Sequence, residues 1–149
     1  MKISDSFSIS SSALTAQRLR MDVISSNIAN AETTRAGVVD GKAVPYRRKM
    51  VVLEPKQQTF GQALNTALDG TDKAQGVKVT EIREDSAPFK PVYNPTHPDA
   101  DNEGYVYMPN VDILKEMVDM ISATRSYEAN VTALNASKAM ITKALQIGK

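Results

Sequence analysis

The single histidine and the acidic run that follows it are the first place in this 149-residue sequence where side-chain chemistry could be concentrated. His97 stands in the segment Asn94-Pro95-Thr96-His97-Pro98. One histidine cannot build a two-histidine metal site, and a catalytic triad needs a base that the fold holds in place. We therefore interpret His97 as an ordinary loop histidine.

The acidic run Asp99-Ala100-Asp101-Asn102-Glu103-Gly104 begins like a calcium-binding loop, with oxygen-bearing side chains at alternate positions and a glycine at the sixth. The pattern then fails, because Asn110 stands at the twelfth position, where a bidentate Glu is required. Pro95 and Pro98 also occupy the place of the entering helix. We expect an acidic surface turn and no metal.

The basic triplet Arg47-Arg48-Lys49 is the second candidate, because it follows Tyr46 and could contact phosphate or an acidic polymer. No aromatic ladder or second basic cluster accompanies it. Eighteen Lys and Arg against seventeen Asp and Glu give a net charge of +1, which argues against a nucleic-acid binder. We read the triplet as a solvated or inter-subunit strand face.

Composition excludes several other classes of protein. The absence of cysteine rules out disulfides, Cys-based zinc sites and thiol nucleophiles. No phosphate-binding loop, dinucleotide fingerprint or nucleophile elbow is visible, so we expect no enzyme activity, no cofactor and no small-molecule substrate. No apolar run approaches the ~20 residues of a membrane span, which predicts no membrane insertion. The N-terminal residues show no cleavable signal peptide.

Apolar residues recur every seventh position at both ends of the chain, which predicts two long helices. The first helix is predicted over 7–31 and the second from just after Asn110, its expected N-cap, to Ile147. The first seam contains Phe7, Leu14, Met21 and Ile28, with Ile24 beside it, and the second contains Ile113, Met120, Tyr127, Leu134 and Ile141, with Met117, Val131 and Leu145 beside it.

The centre has a different character, because all seven prolines and six of the seven glycines lie between Gly37 and Pro109. Residues 46–53, 77–82 and 105–108 are predicted as strands, and 60–68 as a short helix. Four prolines within 87–101 predict an extended excursion with little strand pairing.

These elements predict an α+β fold in which two long terminal helices pair as a coiled-coil-like inner domain and a small β-rich, Pro- and Gly-containing region lies between them. Residues 1–34 and 109–149 would form the discontinuous helical domain, and 35–108 the central region. A long apolar stripe left over on such a chain predicts polymerisation.

Two stretches resemble bacterial flagellar rod and hook proteins: Ile24-Ser25-Ser26-Asn27-Ile28-Ala29-Asn30-Ala31-Glu32-Thr33-Thr34, and the C-terminal part from Tyr105 onward. The two cover about half of the chain, at the ends where that family carries them. The short length, the segment 45–49 and the ending 144–149 are most similar to the proximal rod members of the family.

The resemblance implies a structural subunit of the flagellar drive shaft, which transmits motor torque to the hook and filament, with the terminal helices forming an inner tube. Its implied partners are copies of itself, other flagellar rod proteins, the base ring or rod adaptor of the basal body, and the flagellar type III export apparatus. The implied location is the basal body in the periplasm or cell-wall zone, reached without signal cleavage.

From the seams and the resemblance together we expect an assembly interface that includes two asparagines, Asn27 and Asn30, which would end the first helix or bridge to a neighbour's backbone. We call the seam residues of both helices and these two asparagines the predicted assembly set: Phe7, Leu14, Met21, Ile24, Asn27, Ile28, Asn30, Ile113, Met117, Met120, Tyr127, Val131, Leu134, Ile141 and Leu145.

Two other classes of function stay open at this point. The chain could be a non-enzymatic adaptor or scaffold, in which the two helices close into a self-contained hairpin and the centre binds one partner. It could also be a metal-dependent or hydrolytic enzyme built around His97 and Asp101.

Overall fold

The computed structural model describes residues 3–39, 42–56, 61, 64, 68 and 75–147. Two long helices lie at the ends of the chain and short strands lie between them. The helices are α1 (Ile3–Ala29) and α2 (Ile113–Ile147), and the strands are β1 (Gly37–Val39), β2 (Lys42–Val44), β3 (Lys49–Pro55), β4 (Val77–Glu84), β5 (Lys90–Tyr93) and β6 (Tyr105–Met108). This arrangement confirms the predicted α+β class.

The ends of the helices follow from local hydrogen bonding. At the end of α1, Asn30 N still bonds to Ser26 O at 3.1 Å, and the side-chain Nδ2 of Asn30 bonds to the same carbonyl at 2.9 Å. At the start of α2, Asp112 Oδ1 accepts hydrogen bonds from the backbone amides of Leu114 and Lys115. Asp112 is therefore the N-cap, and the prediction of Asn110 in that role was wrong.

Side-chain contacts between α1 and α2 pair residues in opposite chain order, so the helices run antiparallel. Ser6 Oγ lies 3.4 Å from Ser137 Oγ, Arg20 Nη2 lies 3.5 Å from Asp119 Oδ1, and Asn27 Nδ2 donates to Glu116 Oε2 at 3.0 Å. These contacts support the predicted coiled-coil-like pairing of the terminal helices.

In the described part of the chain, these strands form three two-stranded sheets, β1–β2, β3–β4 and β5–β6. The strands predicted at 46–53, 77–82 and 105–108 are confirmed as β3, β4 and β6 within a few residues. The expectation of little pairing within 87–101 was wrong for β5, which pairs antiparallel with β6 and places Pro91 opposite Tyr107. A two-stranded sheet tolerates this proline because each strand is an edge that needs hydrogen bonds on one side only.

Two compact units can be distinguished. The base unit comprises 20–51 and 82–122, and the arm unit comprises the remaining segments 1–19, 52–81 and 123–149. In the base unit the most buried residues are Val23, Ile24, Asn27, Tyr46, Val106, Pro109, Val111 and Glu116, whereas in the arm unit they are small: Ser10, Ala16, Ala123 and Ser137. Apolar burial therefore stabilises the base unit more than the arm unit.

Two further predictions concern this level of organisation. The short helix predicted at 60–68 lies largely outside the described residues. The division into residues 1–34 plus 109–149 and residues 35–108 remains a prediction. Neither α1 nor α2, over its described residues, combines the length and the apolar content needed to cross a membrane.

Candidate functional site

A fully buried carboxylate, that of Glu116, lies at the start of α2 in the base unit. Its Oε1 accepts from Arg48 Nε at 2.7 Å and lies 2.7 Å from Arg48 Nη2, and its Oε2 accepts from Asn27 Nδ2 at 3.0 Å. A buried charge is tolerated only when it is paired and its lone pairs are satisfied. Both conditions are met here.

The Asn27 side chain uses its whole hydrogen-bonding capacity. Its Oδ1 accepts from Lys49 N at 2.9 Å and from the Tyr46 hydroxyl at 3.0 Å. Its Nδ2 donates to Lys49 O at 2.8 Å and to Glu116. The amide thus bonds to the first residue of β3 as a neighbouring strand would, and it ties α1 to both β3 and α2.

Arg48 joins this group to Asp85. Its Nη1 lies 3.4 Å from Asp85 Oδ2, and its Nη2 lies 3.8 Å from Asp119 Oδ2. Burial by itself lowers the pKa of Arg48, but the hydrogen bonds and charges of Glu116 and Asp85 together outweigh it, so the pKa lies above its ordinary value. The hydrogen bond from Ala87 N holds the pKa of Asp85 below its ordinary value, against burial and with help from Arg48.

We call Asn27, Tyr46, Arg48, Asp85 and Glu116 the polar node. Asn110 supports it, because its Oδ1 accepts from Arg48 N at 2.8 Å and its Nδ2 donates to Ala87 O at 3.1 Å. The reading of the basic triplet as a solvated or inter-subunit face was wrong for Arg48, whose side chain is only 14% exposed. Sequence patterning could not pair it with a carboxylate 68 positions later.

The acidic run after His97 serves to anchor its own loop. Asp99 accepts from Thr34 Oγ1 at 2.9 Å and from Arg35 Nε at 3.0 Å. His97 Nδ1 accepts from Asp99 N at 3.1 Å. Within the described part of the chain, no cluster of three or more His, Asp and Glu side chains is arranged to hold a metal ion.

A broad apolar surface lies exposed on the first turns of α2. Leu114, Val118 and Ile121 are 76%, 66% and 61% exposed, and Ile113 and Met117 lie beside them. We call these five residues the α2 stripe. Single exposed apolar side chains are ordinary, whereas a contiguous exposed group is a candidate interaction surface.

The predicted assembly set is distributed over three environments. Ile24 and Asn27 are buried, and Ile113, Met117 and Leu145 are exposed. The others are half-buried: Phe7, Leu14, Met21, Ile28, Asn30, Met120, Tyr127, Val131, Leu134 and Ile141. Leu114, Val118 and Ile121 are not in this set, but their spacing of three to four residues places them on one helix face, where they broaden the apolar surface near the start of α2.

The ends of the chain match two protein-family models. Residues 7–36 match the flagella basal body rod protein family, and residues 102–147 match the C-terminal family of flagellar basal body rod FlgEFG proteins. The first match includes Asn27, and the second includes Glu116 and the α2 stripe.

Relatives align over almost the whole chain. The flagellar basal-body rod protein FlgC of Bacillus subtilis is 61% identical over 97% of both chains. The protein of the same name from Borreliella burgdorferi is 46% identical over 99% of this chain and 98% of its own. That of Escherichia coli O6:H1 is 45% identical over the full length of both. Identity of this extent, together with the paired terminal helices, places the chain in the FlgC family of flagellar basal-body rod proteins, which are structural subunits of the rod.

Proposed function

We propose that this chain polymerises through its terminal helices into the proximal part of the rod and so forms part of the shaft that transmits motor torque. The observation that carries the proposal is the α2 stripe, with its five apolar side chains between 42% and 76% exposed on one helix. Covering such a surface with another subunit would remove apolar area from water, which is favourable at about 25 cal/mol per Å².

The division of labour in the subunit would be as follows. Residues 1–34 and 109–149 form the inner tube of the assembly, and 35–108 face outward. The half-buried and exposed members of the predicted assembly set supply the contacts between neighbouring helices, whereas Ile24 and Asn27 are buried within the subunit. Torque transmission needs stiff helices and no catalytic group, so the subunit acts without enzymatic activity.

The proposed partners are copies of this chain, other flagellar rod proteins, the base ring or rod adaptor, and the type III export apparatus. The proposed location is the periplasm or cell-wall zone of the basal body, which the chain reaches without cleavage of a signal peptide. The family membership supports these assignments.

Val118→Asp tests the proposal, because it places a charge within the α2 stripe at a side chain that is already 66% exposed. The monomer should keep its fold, because exposed positions tolerate substitution. Assembly and swimming should be lost, since burying an unpaired carboxylate at an interface is costly. Sedimentation and circular dichroism of the purified chain, together with motility of cells that carry the variant, would measure these effects.

Asn135→Asp is the matched control, because it adds the same charge at an exposed polar position of the same helix. It should assemble and support swimming. Normal rods and swimming with Val118→Asp would instead favour the adaptor, in which the helix pair is complete within one chain.

A further inference from the structure

The seam between α1 and α2 combines a repeated apolar and small-residue pattern with the polar node, which the pattern does not repeat. On α2, the buried residues Glu116, Ala123 and Ser137 stand at intervals of seven or fourteen. A seam of this kind fits nearly as well after one helix slides along the other by one heptad, about 10 Å. Small buried side chains such as those of Ala123 and Ser137 discriminate poorly between the observed register and a register shifted by one heptad.

The polar node does not tolerate such a slide. In the observed register Asn27 lies opposite Glu116. Sliding by seven residues would place Asn27 opposite Ala123 or Pro109, neither of which has a polar side chain. The Glu116 carboxylate would lose its contact with Asn27. If α1 were the helix that moved, the Asn27 amide would also lose its two hydrogen bonds to the Lys49 backbone.

We infer that the polar node sets the register of the helix pair, and that Asn27 is its register-determining residue. The polar node contributes more to the choice of one register than to the free energy of unfolding. A buried ion pair repays little beyond its own desolvation, and replacing it with apolar groups of similar volume is often neutral or stabilising. A polar group that has only one satisfactory partner excludes every alternative arrangement, as a single buried asparagine does in coiled coils.

The chain is suited to a cross-linking test because it contains no cysteine. Arg20→Cys with Asp119→Cys reports the observed register, since these side chains lie 3.5 Å apart and are both partly exposed. Arg20→Cys with Asp112→Cys, and Arg20→Cys with Ser126→Cys, report the two slides by seven. A short bifunctional maleimide is added to the dilute full-length chain, and the cross-linked fraction of each pair is measured.

With the node intact, the cross-link should form with the 20/119 pair and be scarce with the two shifted pairs. Asn27→Leu should raise the ratio of shifted to native cross-links by about five- to 150-fold. This is the change in relative population that corresponds to the cost of one buried polar group without a hydrogen-bond partner. Retention of the native ratio in a folded Asn27→Leu protein would overturn the inference.

A second variant covers the case in which Asn27→Leu fails to fold because Glu116 loses one partner. The combination of Asn27→Leu, Arg48→Met and Glu116→Leu removes both charges of the buried Arg48–Glu116 ion pair. It should still unfold cooperatively in urea and should show mixed cross-links. A single native register in this variant, or failure of it to fold, would show that the node does not act through register.

Discussion

Asn27 and Lys49 are joined by two hydrogen bonds, from Lys49 N to Asn27 Oδ1 at 2.9 Å and from Asn27 Nδ2 to Lys49 O at 2.8 Å. A side-chain amide on a helix thus replaces the strand that would otherwise pair with the start of β3. This requires a donor and an acceptor on one short planar group. An aspartate side chain has the same planar shape but lacks the donor, and a leucine side chain has neither a donor nor an acceptor.

Replacing Asn27 with Asp should destabilise the base unit by about 3 kcal/mol or more at neutral pH, the cost of breaking a buried polar pair. The new carboxylate would face Lys49 O and Glu116 without a proton to donate. Its pKa in the folded state would be raised, so the destabilisation should shrink as pH falls and the group takes up a proton. Urea unfolding at neutral and mildly acidic pH measures the effect.

Asn30→Asp is the matched control, because the side-chain amide of Asn30 donates to Ser26 O and lies where α1 ends. We expect it to cost less than Asn27→Asp and to show a weaker pH dependence. Equal losses for the two variants would contradict the special role of the Asn27 amide.

Gly76 lies against α1 in the arm unit, where an added Cβ would come within 2.5 Å of Ser12 Oγ. That hydroxyl donates to Ile9 O at 2.7 Å and accepts from Val77 N at 3.2 Å, so it cannot move without losing these bonds. Gly76→Ala should therefore cost about 1–3 kcal/mol of the free energy of unfolding through overpacking, measured by urea unfolding.

Gly37 provides the control, because an added Cβ there meets nothing within 4 Å. Gly37→Ala should change stability far less, and a similar loss in both variants would refute the argument.

Asp99 should make the attachment of its loop dependent on pH. The hydrogen bond from Thr34, then the hydrogen bond and charge of Arg35, hold the pKa of Asp99 below its ordinary value of 3.8. A lowered pKa in the folded state stabilises the fold above the ordinary value, and that contribution is lost as pH falls through the lowered pKa. An NMR titration of the Asp99 carboxyl carbon should have its midpoint below 3.8.

Arg35→Ala should move that midpoint upward, whereas Arg125→Ala, which removes an exposed pair with Glu128, should leave it in place. A midpoint that is the same in the parent chain and in Arg35→Ala would show that Arg35 does not stabilise the ionised carboxylate.

Amide hydrogen exchange in the dilute monomer should distinguish the two units. Residues 20–29 and 113–122 belong to the base unit, whose buried residues include Val23, Ile24 and Tyr46. Their amides should exchange slowly. Residues 3–19 and 123–147 bury chiefly Ala and Ser, so those parts of the helices have less apolar burial to offset their conformational entropy and should exchange faster. Uniform protection along both helices would contradict this difference and favour a self-contained hairpin.

Local signals in the sequence were sufficient for the elements. The heptad spacing predicted both helices, and the concentration of proline and glycine predicted the non-helical centre, because period and backbone restriction act over a few neighbouring residues. The same locality explains the errors. Asn110 is as good an N-cap residue as Asp112, and sequence gives no means of seeing that Arg48 N already occupies its side-chain oxygen. The pairing of β5 with β6 likewise depends on residues far apart in the chain, such as Pro91 and Tyr107, which are 16 positions apart.

What the sequence determined by itself is therefore the class of fold, the positions of the long helices and the resemblance to flagellar rod proteins. Only the tertiary structure decided which polar residues are buried together. Asn27, Arg48 and Glu116 are separated by 21 and 68 positions, and no periodicity relates them. A polar side chain favours water unless specific partners satisfy it, and those partners are brought within hydrogen-bonding distance only when the whole chain has folded.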